Sequence, residues 1–189
     1  MYDSIEDYYC YKGTTVLKNK RNLHGQEALD RFELAITAQR ATEALPLGKL
    51  NEFHYKRIHR HLFRDVYTWA GEYRDVRISK GDSAFCYPEY ITGEMKKLFV
   101  ELLRDKNLTG LTAPVFATKG ASVLANLNAI HAFRDGNGRS QMAFMNLLAI
   151  RAGHPLRLAK IVPEDFLAAM VQAFRGDERP LADELARLI

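Results

Sequence analysis

A stretch of ten residues between two apolar segments concentrates the side chains that could do chemistry. It runs His131-Ala-Phe-Arg-Asp-Gly-Asn-Gly-Arg-Ser140. The imidazole can transfer a proton near neutral pH, the carboxylate can bind a hard cation, and the guanidinium groups can bind phosphate. The run QMAFMNLLAI that follows has few polar members, and a helix that is apolar on nearly all sides is a buried one. We therefore predict an anion site where a buried helix begins near Gly138, because unpaired amides and a partial positive charge face outward there.

Five residues of this stretch suit a phosphate-bearing ligand. Gly136 and Gly138 lack the Cβ atoms that would keep a ligand away from the backbone amides. Asp135 offers a hard oxygen ligand for Mg²⁺ shared with phosphate oxygens, and Asn137 offers a neutral donor. Arg139 lies in the first helical turn, where a cation opposes the helix dipole, so its presence there indicates an anion in the same site.

Two further residues complete the predicted site. His131 ends the preceding apolar segment and is predicted to face the same cleft, and Phe133 is predicted to anchor the loop to the core. Each residue alone has an ordinary structural explanation, since glycine pairs form turns, histidines are satisfied in cores, and an aspartate before a glycine caps a turn. Their fixed order in front of a buried helix favours a ligand site.

The elements that must position these residues are predicted to be helical. Apolar residues recur with helical spacing over residues 26–45, 50–67, 90–103, 112–130, 141–151, 163–175 and 179–188. We predict Pro88 and Pro114 in first helical turns, Thr112 as an N-cap and Gly153 as a left-handed C-cap. The length predicts a single domain over residues 1–189 and an all-α, mostly helical fold. Residues 1–23 would form an extended arm on its surface, and residues 131–152 the site loop with its buried helix.

Segment 73–90 is the stretch with strand character. Val76 and Ile78 alternate with polar neighbours, and a Lys-Gly-Asp-Ser turn over residues 80–83 separates them from a second short apolar run. Such alternation around a turn predicts a β-hairpin. The alternative to a functional hairpin is one that only covers an edge of the core, because a lone hairpin is marginally stable by itself.

Composition argues against several classes of protein. The chain has 27 Lys and Arg against 23 Asp and Glu, and this net charge of +4 is spread along the chain, so we expect no nucleic-acid partner. No window holds 18 uninterrupted apolar residues, and the acidic, aromatic N-terminus is unlike a signal peptide, which predicts no membrane span. Cys10 and Cys86 lack metal-ligand spacing, and free thiols are typical of the cytoplasm, where we expect the protein to act.

Two other clusters are predicted to be structural. One is a set of histidines on a single predicted helix, which lacks an evident acidic partner, and the other is a set of aromatic residues that is typical of a core. Their members are His54, His59 and His61, and Tyr67, Trp69 and Tyr73.

The stretch from His131 to Arg139 resembles the signature of the Fic-domain family, His-x-Phe-x-(Asp/Glu)-Gly-Asn-Gly-Arg-x-x-Arg. Residues 16–20, 58–63, 65–72 and 78–81 resemble the segments ahead of that motif in bacterial toxin and secreted-effector Fic domains, so that the resemblance covers residues 10–175. It implies a Fic-type helical bundle with one β-hairpin flap. It also implies that the protein transfers AMP from ATP to a Tyr, Thr or Ser hydroxyl of a target protein.

The resemblance further implies a role for each matching residue. His131 would be the general base, and Asp135 would hold Mg²⁺ against the phosphates. Asn137 and the loop amides would stabilise charge on the α-phosphate, and Arg139 would bind the β-phosphate. The hairpin would be the flap that aligns the target by strand-like pairing. Its docking residues would be Ile78, Ser79, Lys80, Gly81 and Phe85.

Two features depart from the family pattern. The last signature position is Met142, where the family has an arginine that binds the γ-phosphate. Two alternatives therefore stay open: transfer from a different nucleotide donor, and an attenuated or inactive nucleotide-binding module.

The inhibitory motif (Ser/Thr)-x-x-x-Glu-(Gly/Asn) has its nearest match at Thr68 and Glu72, but Tyr73 follows. An antitoxin-like inhibitor would then be a separate partner, and the likeness to effectors also leaves secretion open.

Overall fold

The computed structural model of the chain describes residues 7–81 and 83–189. Within these residues the fold is mostly helical, as predicted. The helices are α1 (Gln26–Thr42), α2 (Glu52–Phe63), α3 (Pro88–Arg104), α4 (Ala113–Ile130), α5 (Asn137–Ala152), α6 (Pro163–Phe174) and α7 (Arg179–Leu188). Two short 3₁₀ turns, Lys106–Leu108 and Leu158–Lys160, lie in the connections.

The helices α4 and α5 form the centre of the bundle. The helix α4 packs against α3, α5, α6 and α7, and α2 packs against α1, α3 and α5. An aromatic cluster lies between them, in which the ring of Tyr55 is 5.3 Å from Phe133 and 5.6 Å from Phe144. These side chains are fully buried, and their burial supplies much of the hydrophobic free energy that holds the helices together.

Most predicted helix limits agree with the structure, and two helices are shorter than predicted. The helix α1 ends at Thr42 because Glu43 is extended, and α2 ends at Phe63, whose carbonyl accepts the amides of both Val66 and Tyr67 in a turn. The predicted left-handed cap at Gly153 is confirmed. The predicted N-cap at Thr112 is correct in position, but its side chain makes no capping hydrogen bond.

The predicted hairpin consists of β1 (Ser79–Lys80) and β2 (Ser83–Ala84), which pair antiparallel. Both strands are short, and Val76 and Ile78 point inward as their alternation predicted. The hairpin leads directly into α3, which begins at Pro88.

The N-terminal arm buries a few apolar side chains against the rest of the domain. Residues 1–6 of the predicted arm lie outside the described residues. From Asp7 onward the arm contributes buried side chains to the core, and Cys10 and Leu17 form a β-bridge. The apolar residues Tyr9, Val16 and Leu17 are buried, while residues 12–15, 18 and 20–22 are exposed.

None of the helices in the described part of the chain combines the length and apolar character needed to cross a membrane.

Candidate active site

His131 lies at the C-terminal end of α4 with its ring buried. It adopts a left-handed backbone conformation (φ 48°), and its Nδ1 donates to the carbonyl of Asn128 at 3.0 Å. Burial, together with the nearby cations Arg74 and Lys80, lowers the pKa of His131 to about 3. The ring is therefore neutral at physiological pH, and the proton on Nδ1 leaves Nε2 as its basic nitrogen.

The loop that follows is anchored by Phe133 and closed by Asn137. The Phe133 ring is fully buried and stacks on His59 at 3.8 Å. The Asn137 side chain accepts from the Phe133 amide at 2.9 Å and donates to the Phe133 carbonyl at 2.7 Å. In this structure the Asn137 side chain therefore stabilises the loop, and what it offers toward a ligand is its backbone amide in the first turn of α5.

Asp135 points toward α1. Its carboxylate accepts from the Gly136 amide, burial raises its pKa, and the neighbouring Glu33 carboxylate raises that pKa further. Among residues 7–81 and 83–189 no group of three or more His, Cys, Asp or Glu side chains could hold a metal by itself. One carboxylate is what Mg²⁺ needs when substrate phosphates supply the other ligands, so Asp135 fits that ion.

Arg139 also turns toward α1. Its Nη2 is 2.5 Å from Glu33 Oε1, its Nη1 donates to Thr37 at 3.2 Å, and its guanidinium lies 4.5 Å from the centre of the Phe63 ring. The position of Arg139 in the first helical turn predicted a nearby anion, and the Glu33 carboxylate supplies part of that negative charge. The sequence interpretation missed Glu33, and the signal that could have suggested it is the pair of polar residues Glu33 and Thr37 on one face of α1.

The two glycines of the loop differ in their surroundings. Gly136 has a φ of 76°, and a Cβ there would lie 2.3 Å from Phe63 Cζ. Gly138 is exposed, and a Cβ there would meet nothing within 4 Å. Gly136 is therefore required by the fold of the loop, while Gly138 leaves open space above the first amides of α5.

A cleft of about 640 Å³ opens beside His131. We call it the cleft; one wall consists of His131, Gly138 and Met142, and the flap adds Lys80. The facing wall is apolar and comes from α6 and the turn before it. Its members are Ile161, Pro163, Phe166, Leu167, Met170, Val171 and Phe174, with Arg175 at the end.

Comparisons with known proteins identify the family. A family model described as "Fic/DOC family" matches residues 49–149, more than half of the chain. The chain belongs to this family. The "Probable protein adenylyltransferase y4lH" of Sinorhizobium fredii is 48% identical over 189 residues, covering 100% of this chain and 98% of that protein. The "Probable protein adenylyltransferase Fic" of Escherichia coli is 35% identical, covering 90% of this chain and 86% of that protein.

A solved structure of a bacterial effector protein has the same fold. The BepC protein of Bartonella tribocorum, a VirB-translocated effector protein with bound AMPPNP, aligns with a TM-score of 0.86 at 29% identity and covers 95% of both chains. The all-α fold predicted from the sequence is therefore that of Fic domains.

The hairpin has buried and exposed residues. Ile78 and Phe85 are buried, whereas Lys80 and Gly81 are exposed and Ser79 is half-buried. The Phe85 ring stacks on His131 at 3.8 Å and meets Phe174 of α6 edge-on at 5.7 Å. Of the predicted docking residues, Ser79, Lys80 and Gly81 are accessible, Ile78 is buried, and Phe85 is buried against the His131 ring.

His59 contacts the loop of the candidate site, and the sequence interpretation missed this contact. It accepts from the Gly71 amide at 2.8 Å and, through Nε2, donates to the Asp135 carbonyl at 3.0 Å. His54 and His61 also bond backbone carbonyls, so the prediction that these histidines are structural is confirmed. His59 differs from them because the loop that it holds carries the candidate metal ligand.

Proposed function

We propose that this chain is a protein adenylyltransferase, transferring AMP from ATP to a hydroxyl side chain of a target protein. The observation that carries the proposal is the position of His131, a buried neutral base at the edge of the cleft beside Gly138 and the first turn of α5. The names of the relatives and the AMPPNP bound to BepC support the same reaction.

In the proposed reaction His131 accepts the hydroxyl proton on Nε2 as the target oxygen attacks the α-phosphorus. Pyrophosphate leaves, and no covalent bond to the protein forms. The first intrahelical bond of α5 is donated by Ser140 to Gly136, so the amides of the three preceding residues are oriented for phosphate oxygens. These amides would stabilise the charge that develops on the α-phosphate.

Two side chains of the loop would complete the phosphate site. Asp135 would hold Mg²⁺, which when bound neutralises phosphate charge. Arg139 has five N–H donors, of which Glu33 and Thr37 take two, so the remaining donors can reach a β-phosphate without releasing α1. Arg139 would thus tie the nucleotide to α1.

A second candidate is transfer from a donor other than ATP. The observation that favours it is that Met142 lines the cleft opposite the apolar wall of α6. A methionine there contributes no charged contact to a terminal phosphate. Label from a pyrimidine nucleotide or CDP-choline, with none from ATP, would support this candidate.

We also propose how the transfer activity is inhibited and in which compartment the protein acts. Thr68 and Glu72, the nearest match to an inhibitory motif, lie in a turn and its exit, and Glu72 pairs with Lys56 at 3.3 Å. We therefore assign inhibition to a separate antitoxin-like protein. The unpaired thiols of Cys10 and Cys86 suit action in the cytoplasm, whether of the producing cell or of a cell into which the protein is secreted.

The test uses α-labelled ATP, Mg²⁺ and a bacterial lysate. We expect labelled protein bands with the wild-type chain and none with His131→Ala, while calorimetry shows AMPPNP binding within about twofold because His131 acts on the hydroxyl. The control is His24→Ala, an exposed histidine outside the site. Bands that persist with His131→Ala would exclude His131 as the base.

A further inference from the structure

One buried arginine connects the flap to the general base. The Arg74 side chain is 2% exposed and lies just before the hairpin. Its guanidinium donates to four backbone carbonyls: Nε to His131 at 2.9 Å, Nη1 to Val76 at 2.7 Å, and Nη2 to Cys86 at 2.6 Å and to Ile130 at 3.2 Å.

The four carbonyls belong to two groups of the chain. Val76 precedes β1 and Cys86 follows β2, so they mark the two ends of the hairpin. Ile130 and His131 form the end of α4. Two backbone bonds run in parallel: the Arg74 amide donates to Ala132 at 2.9 Å, and the Cys86 amide donates to Ala129 at 3.1 Å.

The charge of Arg74 suits this place. The last turn of α4 has no basic residue of its own, and the carbonyls at a helix C-terminus favour a cation. A planar guanidinium presents several donors in a fixed fork, whereas a lysine ammonium cannot span carbonyls on opposite sides. The arrangement therefore depends on arginine and not only on a positive charge.

We propose that Arg74 is a positioning residue that fixes the flap, and with it the target segment, relative to His131. The inference rests on the proposed function, because it assumes that the flap binds the target. The four carbonyls that accept from Arg74 belong to the ends of the hairpin and of α4, and all of them lie outside the segment from Gly136 to Arg139 on the nucleotide side of the site. The proposed role of Arg74 therefore concerns the target protein and not the binding of ATP.

The experiment compares Arg74→Lys with wild type, using as target the unmodified form of the protein that the lysate assay labels. We expect kcat/KM for that protein to fall by at least about tenfold, since misplacement by about 1 Å can cost far more than that. The affinity for AMPPNP, measured by calorimetry, is expected to stay within about twofold. The control is Arg151→Lys, an exposed arginine that donates to the Gly48 carbonyl away from the site.

A structural role alone would give a different pattern. It would lower the fraction of molecules that bind AMPPNP and lower kcat in proportion, with KM for the target unchanged, and that result would overturn the inference. Failure of the wild-type chain to label any protein would instead overturn the proposed function.

A measurement on the wild-type chain covers the case in which Arg74→Lys does not fold. If Arg74 fixes the flap, the Cys86 amide at its base should resist hydrogen exchange as strongly as amides in the last turns of α4. Exchange of the Cys86 amide on the timescale of an unprotected loop would contradict the proposal.

Discussion

At the scale of single residues, the environment of the proposed base His131 keeps its ring neutral. Adding a proton to that ring is therefore energetically costly. Burial and two cations disfavour the imidazolium form of His131. The bound nucleotide brings negative charge beside the ring, and this charge is what would make proton acceptance favourable during transfer. His131 is therefore expected to act as a base only when nucleotide and target are both present.

The lowered pKa of His131 predicts a pH-dependent stability. In the unfolded chain the ring titrates near 6.5, and in the folded chain near 3, so between these values the unfolded state binds the extra proton. The free energy of unfolding should consequently fall as the pH drops below 6.5, by about 2 kcal/mol from this residue by pH 5. Urea unfolding at pH 7, 6 and 5 measures it. His131→Ala should lose less stability over the same range, and an identical slope would contradict the prediction.

Met142 gives a prediction about donor selectivity. Met142→Arg restores the family residue, and an arginine–phosphate bond contributes about 1.5–3 kcal/mol, or roughly tenfold or more in affinity. We expect tighter binding of ATP and unchanged binding of ADP, measured by calorimetry. Met142→Leu is the matched control, with no change in the ratio of the two affinities. An unchanged ratio in Met142→Arg would show that the terminal phosphate lies elsewhere.

At the scale of elements, the site is a loop held between helices. The helix α4 ends at His131, the proposed base, and His59 of α2 holds the Asp135 carbonyl. The helix α5 begins with the amides of Asn137, Gly138 and Arg139, which form the proposed phosphate site that we call the cradle. Because both ends of the loop are helix termini, small changes in it move the base and the cradle together.

The two glycines of the loop should respond differently to alanine. Gly136→Ala places a methyl group against Phe63 at a positive φ, and we expect it to lower the free energy of unfolding by more than about 2 kcal/mol. Gly138→Ala meets open space and should leave stability within about 1 kcal/mol, since alanine is favoured over glycine in helices. Its methyl group would instead obstruct a phosphate, so AMPPNP affinity should fall. Denaturant unfolding and calorimetry separate the effects, and unchanged affinity in Gly138→Ala would argue against the cradle.

At the scale of the whole molecule, segments far apart in the chain enclose the loop. The arm contributes Asp7, which forms an almost completely buried ion pair with Arg134, and α1 contributes Glu33 to Arg139. The flap contributes Phe85 to His131. The site is therefore complete only when all three segments have docked.

The buried pair predicts a large effect at a position remote in sequence. Burial opposes ionisation of Asp7, yet Arg134 lowers its pKa overall, so both partners are charged. Asp7→Ala leaves the Arg134 charge buried without this carboxylate, and we expect a loss of about 3 kcal/mol in unfolding free energy. Asp177→Ala, which removes an exposed partner of Arg179, is the control and should change little. Equal effects of the two substitutions would show that the arm is not held by the pair.

The sequence by itself determined the local features of this protein. Helical periodicity gave the bundle, alternation around a turn gave the hairpin, and the order of residues from His131 to Arg139 indicated the site. The helices and the hairpin are confirmed, because spacing along one chain segment decides which side chains share a face. The roles of the residues from His131 to Arg139 stay predictions. The motif even indicated an anion beside Arg139.

Only the tertiary structure decided which groups surround that segment. Glu33 lies 106 residues before Arg139, and Arg74 lies 57 residues before His131, so no local pattern could pair them. The carbonyls that accept from Arg74 are backbone groups that every residue carries, so their side-chain types give no sign of the pairing. The physical reason is that packing of α1, the arm and the flap selects one set of contacts among many, and this selection fixes how the base, the cradle and the flap meet.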